Sequence, residues 1–580
     1  MPQQPKQTTS EITLISLLKP YTWTIVGIII LTLISNGLNL VGPQIVAHTI
    51  DTYGQGNFAL KTVIFEFFSV AAGIFIFTYL QTIVQTYASE RVARDLRKRF
   101  IAKISEQEYA YIQEVSPAKL LTNLTSDIDA VKTFVSQAIA SLISSFFLII
   151  GASILLLLIN WKVALAVLVI VPIIGITFFV VLGRVRKLFK RAQETIDWLN
   201  KVINESILGA ALIRLLNSQS YEYQKFLAAN EESKNIGLSI LRLFAGLIPV
   251  IIFTTNVATL IILIFGGHFV ITGTMSLGDF TAFNSYLAIL IFPILIIGFM
   301  SNVIAQASAS LQRISLVLNS QQPENTGTLS SPLSGNIAVS GVTINYGERS
   351  SLKNVSFTIK AGTKTAIIGP TAAGKTQLLY AMTGLIKTSE GTISYDNHRI
   401  DEYKKVTLHK QIGFVFQDSI MFNLSVRENI AFSNTVTDQS LEKAIETAEL
   451  HDFIDVLPEK LDTVVSERGT SLSGGQKQRI MLARALSLNP TILLLDDFTA
   501  RVDSNTESKI LANITRNYPD LTLVSVTQKI APVETYDQII LLMEGEILAT
   551  GTHEELLHKS PEYVQIYNSQ KSTENYELQT

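Results

Sequence analysis

A chain of 580 residues is too long for a single domain; 48% of it is hydrophobic and 16% charged, and its long charge-free runs all fall within the first 312 residues. The net charge of −2 gives no basis for nucleic-acid binding. With no cysteine, disulfides and thiolate metal sites are excluded, while the compartment stays open.

The start, Met1 to Ser10, is polar and lacks the short apolar core and cleavage site of a removable signal peptide. Lys19-Pro20-Tyr21 reads as an elbow at the membrane surface, and from Pro20 to Ile50 there is no Asp, Glu, Lys or Arg. A bilayer-crossing helix needs about 20 apolar residues. Similar runs are Phe67 to Ser89, Thr133 to Trp161, Val163 to Gly183, Leu243 to Gly278 and Phe280 to Gln312, so six spans are predicted in the lipid bilayer. The fifth run exceeds one helix, and Gly266-Gly267-His268 followed by Gly273 predicts a turn out of the bilayer before the sixth.

Arg91, Arg94, Arg97, Lys98 and Arg99 follow the second span, and Arg184, Arg186, Lys187, Lys190 and Arg191 follow the fourth. These clusters put both helix ends on the cytoplasmic side; the expected location is the cell (inner) membrane, with the chain termini and the C-terminal half in the cytoplasm. The connections Glu90 to Lys132 and Arg184 to Arg242 keep helical spacing, so the spans are expected to continue into the cytosol. Asn36, Asn39, Gln81, Gln85, Asn256, Asn302 and Gln306 lie within spans, with Glu66 near an outer end. They read either as hydrogen bonds between helices or as a polar substrate cavity. Pro172, Pro249 and Pro293 are candidate kinks.

Asn319 to Asn336 is a linker by its Ser, Gly, Pro and Asn content. Beyond it, strand-like runs alternate with helical ones, which argues for an α/β domain with a largely parallel sheet. The strand-like Thr365 to Ile368 leads into Gly369-Pro370-Thr371-Ala372-Ala373-Gly374-Lys375-Thr376, a match to the P-loop pattern. In that pattern backbone N–H groups wrap phosphates, the lysine reaches the outer ones and the Thr hydroxyl meets Mg²⁺. Downstream, Leu472 to Gln476 opens a helix on paired glycines, and the apolar Ile492 to Leu495 ends on Asp496 and Asp497. A helix N-terminus suits a phosphate and an acid at a strand tip suits Mg²⁺, so the region reads as a nucleotide site.

With these motifs in place the sequence resembles the ATP-binding cassette (ABC) family, and specifically its exporters. Leu472-Ser473-Gly474-Gly475-Gln476 is that family's signature, Val465 to Gly469 resembles the exporter segment before it, and Phe416-Gln417-Asp418 resembles its Q-loop. Gly551 to Leu556 resembles its closing segment, in which His553 is assigned no chemistry. The resemblance implies an all-α six-helix membrane domain (1–318), a linker (319–336) and an α/β P-loop nucleotide-binding domain (337–580). It implies ATP binding by Tyr346, Gly369 to Gln377, Gln417 and Ser473 to Gln476, with Mg²⁺ on Thr376, Gln417 and Asp496. It also implies that each cytoplasmic excursion ends in a short coupling helix, here around Glu114 to Leu121 and around Asn217 to Glu222.

Two positions depart from the family pattern. Asp497 stands where a Glu normally polarises the attacking water, and Gln528 stands where a switch His is usual. Aspartate is one methylene shorter, about 1.5 Å, and a base displaced by about 1 Å loses on the order of 10²-fold in rate. Glutamine hydrogen-bonds a phosphate but carries neither charge nor proton. Nearby, Ala372 replaces a common Gly, Gln377 a common hydroxyl, and Ala500-Arg501-Val502-Asp503 the usual Ser-Ala-Leu-Asp. The expectation is a half-transporter that binds ATP but hydrolyses it slowly at Asp497 and Gln528. It would be paired with a different half-transporter and would export a small amphipathic drug or lipid. The alternatives are an active homodimer and a regulatory ATP-binding membrane subunit; a peptide-processing exporter is disfavoured by the short N-terminus and the lack of a Cys nucleophile.

Overall fold

The computed structural model describes residues 13–56, 58–320, 327–347, 349–465 and 472–577. It divides into two compact units, Met1–Glu106 with Val115–Gln321, and Gln107–Glu114 with Gln322–Thr580. The Val465 to Gly469 resemblance lies, after Val465, outside the described residues.

Among the described residues of the first unit six helices are long and apolar enough to cross a membrane: Leu14–Gly54, Leu60–Ser105, Pro117–Ile159, Trp161–Leu208, Gln219–Ile271 and Leu277–Leu318. The shortest has 41 residues, about twice what the bilayer requires, as the long helical connections predicted. Phe65, Phe68, Phe75 and Phe179 are each more than 70% exposed, which suits lipid rather than water. A 3₁₀ turn at Lys19–Tyr21 forms the elbow, where the Tyr21 hydroxyl donates to Asp95 Oδ2 at 2.7 Å. Asn160 makes the tight connection between the third and fourth helices, its Oδ1 accepting from the backbone N–H groups of Lys162 and Val163.

The predicted turn at Gly266-Gly267 is corrected. Ile262–Gly266 is a single π-type turn and the helix continues to Ile271; the chain reverses only at Thr272 to Ser276, where Gly273 has φ +73°. The glycine instead permits close packing: a Cβ at Gly266 would meet the Phe280 ring at 3.1 Å. At the same end, Asp51 Oδ1 accepts from Gly278 N–H at 2.8 Å, and a Cβ at Gly278 would meet the Ala47 carbonyl oxygen at 2.1 Å.

Of the seven Asn and Gln residues predicted within spans, three have a hydrogen bond to another helix among the described residues. Asn36 Oδ1 accepts from Ser144 Oγ at 3.0 Å, Gln85 donates to the Ser136 carbonyl, and Asn302 Oδ1 accepts from Arg186 Nε at 2.9 Å. Toward the end of the sixth helix, Arg313 donates through two nitrogens to the buried Asp127, which also accepts from Ser310 Oγ at 2.9 Å. Asp127 ends a π-type turn, Asn123–Asp127, so an irregular turn of the third helix is pinned to the sixth.

The tip of the first excursion is also corrected. Gln107–Glu114, not Glu114 to Leu121, groups with the second unit, and Tyr109–Val115 is its short helix. Glu108 pairs with Lys387 at 3.0 Å and Lys405 at 3.7 Å, and the Tyr109 ring meets Tyr380 edge-on at 5.7 Å. A break at Ser116 (φ 75°) before Pro117 ends this piece. The second candidate, Asn217 to Glu222, lies in the first unit at a turn where Asn217 has φ 51°.

Among the described residues the second unit has ten strands: β1 (Ile337–Tyr346), β2 (Arg349–Ile359), β3 (Lys364–Ile368), β4 (Glu390–Tyr395), β5 (His398–Arg399), β6 (Ile412–Val415), β7 (Ile492–Asp496), β8 (Thr522–Thr527), β9 (Gln538–Met543) and β10 (Glu546–Gly551). A four-stranded antiparallel sheet has the order β2-β1-β4-β5; the main sheet has the order β10-β9-β3-β8-β7-β6, parallel from β9 to β6. Ile492 and Leu494 face one hydrophobic core and Leu493 and Leu495 the other, which is why β7 is a continuous apolar run. The last part of the predicted linker is bound to this unit: Leu329 exchanges backbone hydrogen bonds with Glu402 and Lys404, and Leu333 N–H donates to Gln411 Oε1 at 2.7 Å.

Candidate functional site

Three adjacent parallel strands, β3, β8 and β7, set the site because their carboxyl ends carry the loops that matter. Ile368 leads into the P-loop, Thr527 into Gln528, and β7 ends on Asp496. Ligands of open α/β sheets bind at such strand ends, where helix N-termini and loop backbone replace the buried ladder.

The P-loop packs without room for side chains. A Cβ at Gly369 would meet the Leu542 carbonyl oxygen at 2.0 Å, and Gly374, at φ +98°, would bring one to 2.5 Å from the Ser351 carbonyl oxygen. Gly374 caps the helix Lys375–Met382. Ala372 adopts φ +66°, a left-handed conformation costly for a residue with a Cβ. That conformation gives a physical account of the common glycine there.

Lys375 is buried, and its ammonium donates to the carbonyls of Gly369 and Pro370 at 2.7 Å each. Burial pulls its pKa down, against the pull of Asp497 and Asp496. Thr376 Oγ1 donates to Asp496 Oδ1 at 3.2 Å, while the other Asp496 oxygen is buried without a partner among the described residues. Burial is the main reason that the Asp496 carboxyl is pushed up to about 6; the Thr376 hydrogen bond opposes it, and Asp497 adds to it. A buried acid with one unpaired oxygen beside a hydroxyl fits a hard divalent cation such as Mg²⁺, and a buried ammonium on a glycine loop fits phosphate oxygens. The site therefore fits ATP with Mg²⁺.

Asp497 sits next in the chain in a left-handed conformation (φ 47°), its N–H bonded to the Val526 carbonyl at 2.9 Å. Gln528 Nε2 lies 3.5 Å from Thr371 Oγ1, so it faces the P-loop. Tyr346 is 54% exposed, and its hydroxyl donates to Gln377 Oε1 at 2.6 Å, leaving an aromatic surface beside the P-loop helix. Gln417 is exposed, and its backbone carbonyl accepts from Gln478 Nε2 at 3.2 Å.

Ser473 to Gln476 form a capping box at the start of the helix Gly474–Leu486: Ser473 Oγ accepts from Gln476 N–H at 3.2 Å and Gln476 Oε1 from Ser473 N–H at 2.8 Å. A Cβ at Gly475 would lie 2.9 Å from the Arg501 carbonyl oxygen and one at Gly474 3.0 Å from Arg501 Cδ, so Arg501 is the floor beneath the two glycines. Among the described residues no hydrogen bond or ion pair joins this turn to the P-loop within the chain.

Sequence reasoning missed three supports. Asp418 raises the field at Asp496, a role the neighbouring Gln417 obscured. Gln478 and Arg484 tie the signature helix to the segment after Gln417. Arg484 donates to the carbonyls of Asn429 at 2.6 Å and Ile420 at 3.1 Å, and its guanidinium lies over Phe422 and Phe432; burial lowers its pKa to about 10. The apolar spacing of that helix marks the face on which they lie but not their partners.

Two outcomes follow from this geometry. Ala372→Gly should stabilise the chain by about 1 kcal/mol, since the left-handed penalty disappears while glycine gives back some unfolded-state entropy; differential scanning fluorimetry reads it, and destabilisation would mean that the loop is unstrained. Asp496 binds its proton more tightly folded than unfolded, so ionising it costs stability as pH rises from about 4 through about 6. Asp496→Asn should therefore raise the metal-free melting temperature at pH 7.5 and abolish the further rise on adding ATP and Mg²⁺. Retention of that nucleotide-dependent rise would remove Asp496 from the metal site.

Comparison with known proteins agrees with this architecture. Residues 25–294 match the family model described as ABC transporter transmembrane region, and residues 352–500 the model described as ABC transporter. The chain is 33% identical over 583 residues, 97% of its own length and 99% of the relative's, to the uncharacterized ABC transporter ATP-binding protein YfiB of Bacillus subtilis (strain 168). It is 29% identical over 497 residues, 85% of the chain and 83% of the relative, to an ATP-dependent lipid A-core flippase of Syntrophus aciditrophicus (strain SB). The fold is shared with a bacterial Atm1-family ABC exporter solved with ATP bound, at TM-score 0.79 and 22% identity over 95% of this chain and 98% of that one. A membrane region and a P-loop cassette on one chain, each matched in its own place, make this protein a member of the ABC transporter family: an exporter half-transporter that couples ATP hydrolysis to transport.

Proposed function

We propose that this chain is the weakly hydrolytic half of a heterodimeric exporter for a small amphipathic substrate, a drug or a lipid, with its cassette and termini in the cytoplasm. The observation that carries the proposal is the pairing of Asp497 and Gln528 at the carboxyl ends of the neighbouring strands β7 and β8, on one side of a P-loop whose binding groups are intact. Lys375 and the loop N–H groups would hold the phosphates, Thr376, Asp496 and Gln417 the metal, and Tyr346 the adenine. Bound there, ATP with Mg²⁺ supplies a transferable phosphoryl group whose charge the metal shares. Asp497 is too short to hold the attacking water where a glutamate would, and Gln528 donates a hydrogen bond to the terminal phosphate without charge.

The signature does not meet this chain's own P-loop, which supports its use in trans. Ser473 to Gln476 would complete the partner's ATP site, presenting N–H and hydroxyl donors to charge developing on the partner-bound phosphate. The partner would then carry the Glu and His missing here, and its own signature, serving the slow site, can be degraded. ATP binding would close the two cassettes, coupling segments such as Gln107–Glu114 would carry the closure into the helices, and hydrolysis would reset the cycle. The basic flanks of the second and fourth helices support the orientation, and the similarity to a relative named a lipid A-core flippase supports an amphipathic substrate.

The test is ATPase of the reconstituted dimer. Ser473→Ala should lower turnover on the order of 10²-fold, whereas Asp497→Ala should change it by about twofold or less. Serine is the better probe than glycine because Gly475 has no room for a Cβ, so its replacement would distort the turn as well as remove function. Equal losses from both substitutions, or near-normal activity of Ser473→Ala, would overturn the asymmetric assignment.

A further inference from the structure

The last helix of the cassette unit, Pro561–Glu577, carries Tyr563, Ile566, Tyr567 and Gln570 at helical spacing on one face. Tyr563 is fully buried, and Ile566 and Tyr567 pack against the same core, so three of the four positions explain themselves by burial. His553, on the preceding helix, fixes the start of this one through a 2.7 Å hydrogen bond between its Nδ1 and the Tyr563 hydroxyl. Gln570 is the polar member of the stripe, and its amide is fully directed. Nε2 donates to the Gln528 carbonyl at 2.7 Å, and Oε1 accepts from the Ile530 N–H at 2.9 Å. One side-chain amide thus spans the backbone on both sides of Lys529, as a strand partner would, at the point where β8 has ended.

The loop needs such a partner. On one side it borders a cavity of about 840 Å³, lined in part by Glu507, Gln528, Lys529, Tyr536 and Gln570. Packing on that side therefore cannot fix the backbone. Further local support comes from Ile530, whose side chain is buried in the core and whose carbonyl accepts from Val533 N–H at 2.9 Å, and from the Lys529 N–H bond to Thr527 Oγ1 at 3.1 Å. Gln528 is held at its backbone carbonyl by Gln570, and its side chain reaches Thr371 Oγ1 at the long distance of 3.5 Å.

We propose that Gln570 is a positioning residue for the nucleotide site, clamping the loop after β8 so that the Gln528 side chain stays over the P-loop. This rests on Gln528 facing the terminal phosphate, as argued above. A side chain without charge is a weak phosphate ligand, so its contribution depends on being held in place. The two clamp bonds supply that restraint from a helix far along the chain. Loosening the last helix would loosen the phosphate contact, with no change in any group that touches nucleotide.

The experiment uses the full-length transporter in lipid nanodiscs with Gln570→Ala, Gln570→Glu and Gln528→Ala. Hydrogen exchange of the Ile530 amide reads the clamp directly, and release of radiolabelled ATP from this chain's site reads its consequence. Gln570→Ala should speed Ile530 exchange about tenfold or more, as loss of two such bonds permits, and should speed ATP release. Gln570→Glu keeps the acceptor for Ile530 N–H but sets an oxygen against the Gln528 carbonyl, so it should protect Ile530 and still speed release. It also serves if the alanine variant folds poorly. Unchanged Ile530 exchange in Gln570→Ala would overturn the clamp, as would unchanged ATP release in both Gln570 variants where Gln528→Ala speeds it. If Gln528→Ala leaves release unchanged while Gln570→Ala speeds both exchange and release, the phosphate assignment of Gln528 fails and Gln570 still stands as the residue that positions the loop for nucleotide.

Discussion

Everything at the nucleotide site depends on one constraint: β3, β8 and β7 are buried on both faces, side by side, and can become polar only where they end. The strand interiors therefore carry apolar and satisfied groups, and the P-loop, Gln528 and Asp496 all emerge at the same ends of the strands. Asp496 shows the tension. It is buried almost completely and retains an oxygen without a partner among the described residues, and burial pushes its carboxyl up to about 6 against the Thr376 hydrogen bond and the Lys375 charge. Such a group is costly unless a cation compensates it, which is why the residues present fit a divalent metal.

Much of this was legible in the sequence because the motifs are contiguous and their geometry is local. The P-loop follows its strand immediately, and the acids end a run too apolar to lie anywhere but the sheet centre. The six spans were legible for the same reason, since charge-free length needs no tertiary information. Misplacements arose where one residue type serves two purposes. Gly266 and Gly267 read as a turn, but glycine also lets helices approach, and the Phe280 ring shows which use was made. The short helix Tyr109–Val115 ends before Ser116, whose positive φ no local signal announces.

What the sequence could not show were partners far apart along the chain. Asp127 and Arg313 lie on the third and sixth membrane helices, Glu108 meets Lys387 and Lys405, and Gln570 meets the loop after β8. None has a spacing rule. Each joins an element that has an apolar reason for its position to one that does not: the π-type turn at Asp127, the short helix at Tyr109, the loop at Lys529. Polar contacts here fix the irregular pieces, while burial fixes the regular ones.

The central claim is that this chain binds ATP and hydrolyses it slowly. The most direct measurement follows the nucleotide on this chain alone during steady turnover of the assembled transporter, by photocrosslinking with an azido-ATP labelled on its α-phosphate and identifying the attached nucleotide. The account predicts predominantly triphosphate on this chain while the partner carries diphosphate. Diphosphate accumulating on this chain at the partner's rate would contradict it.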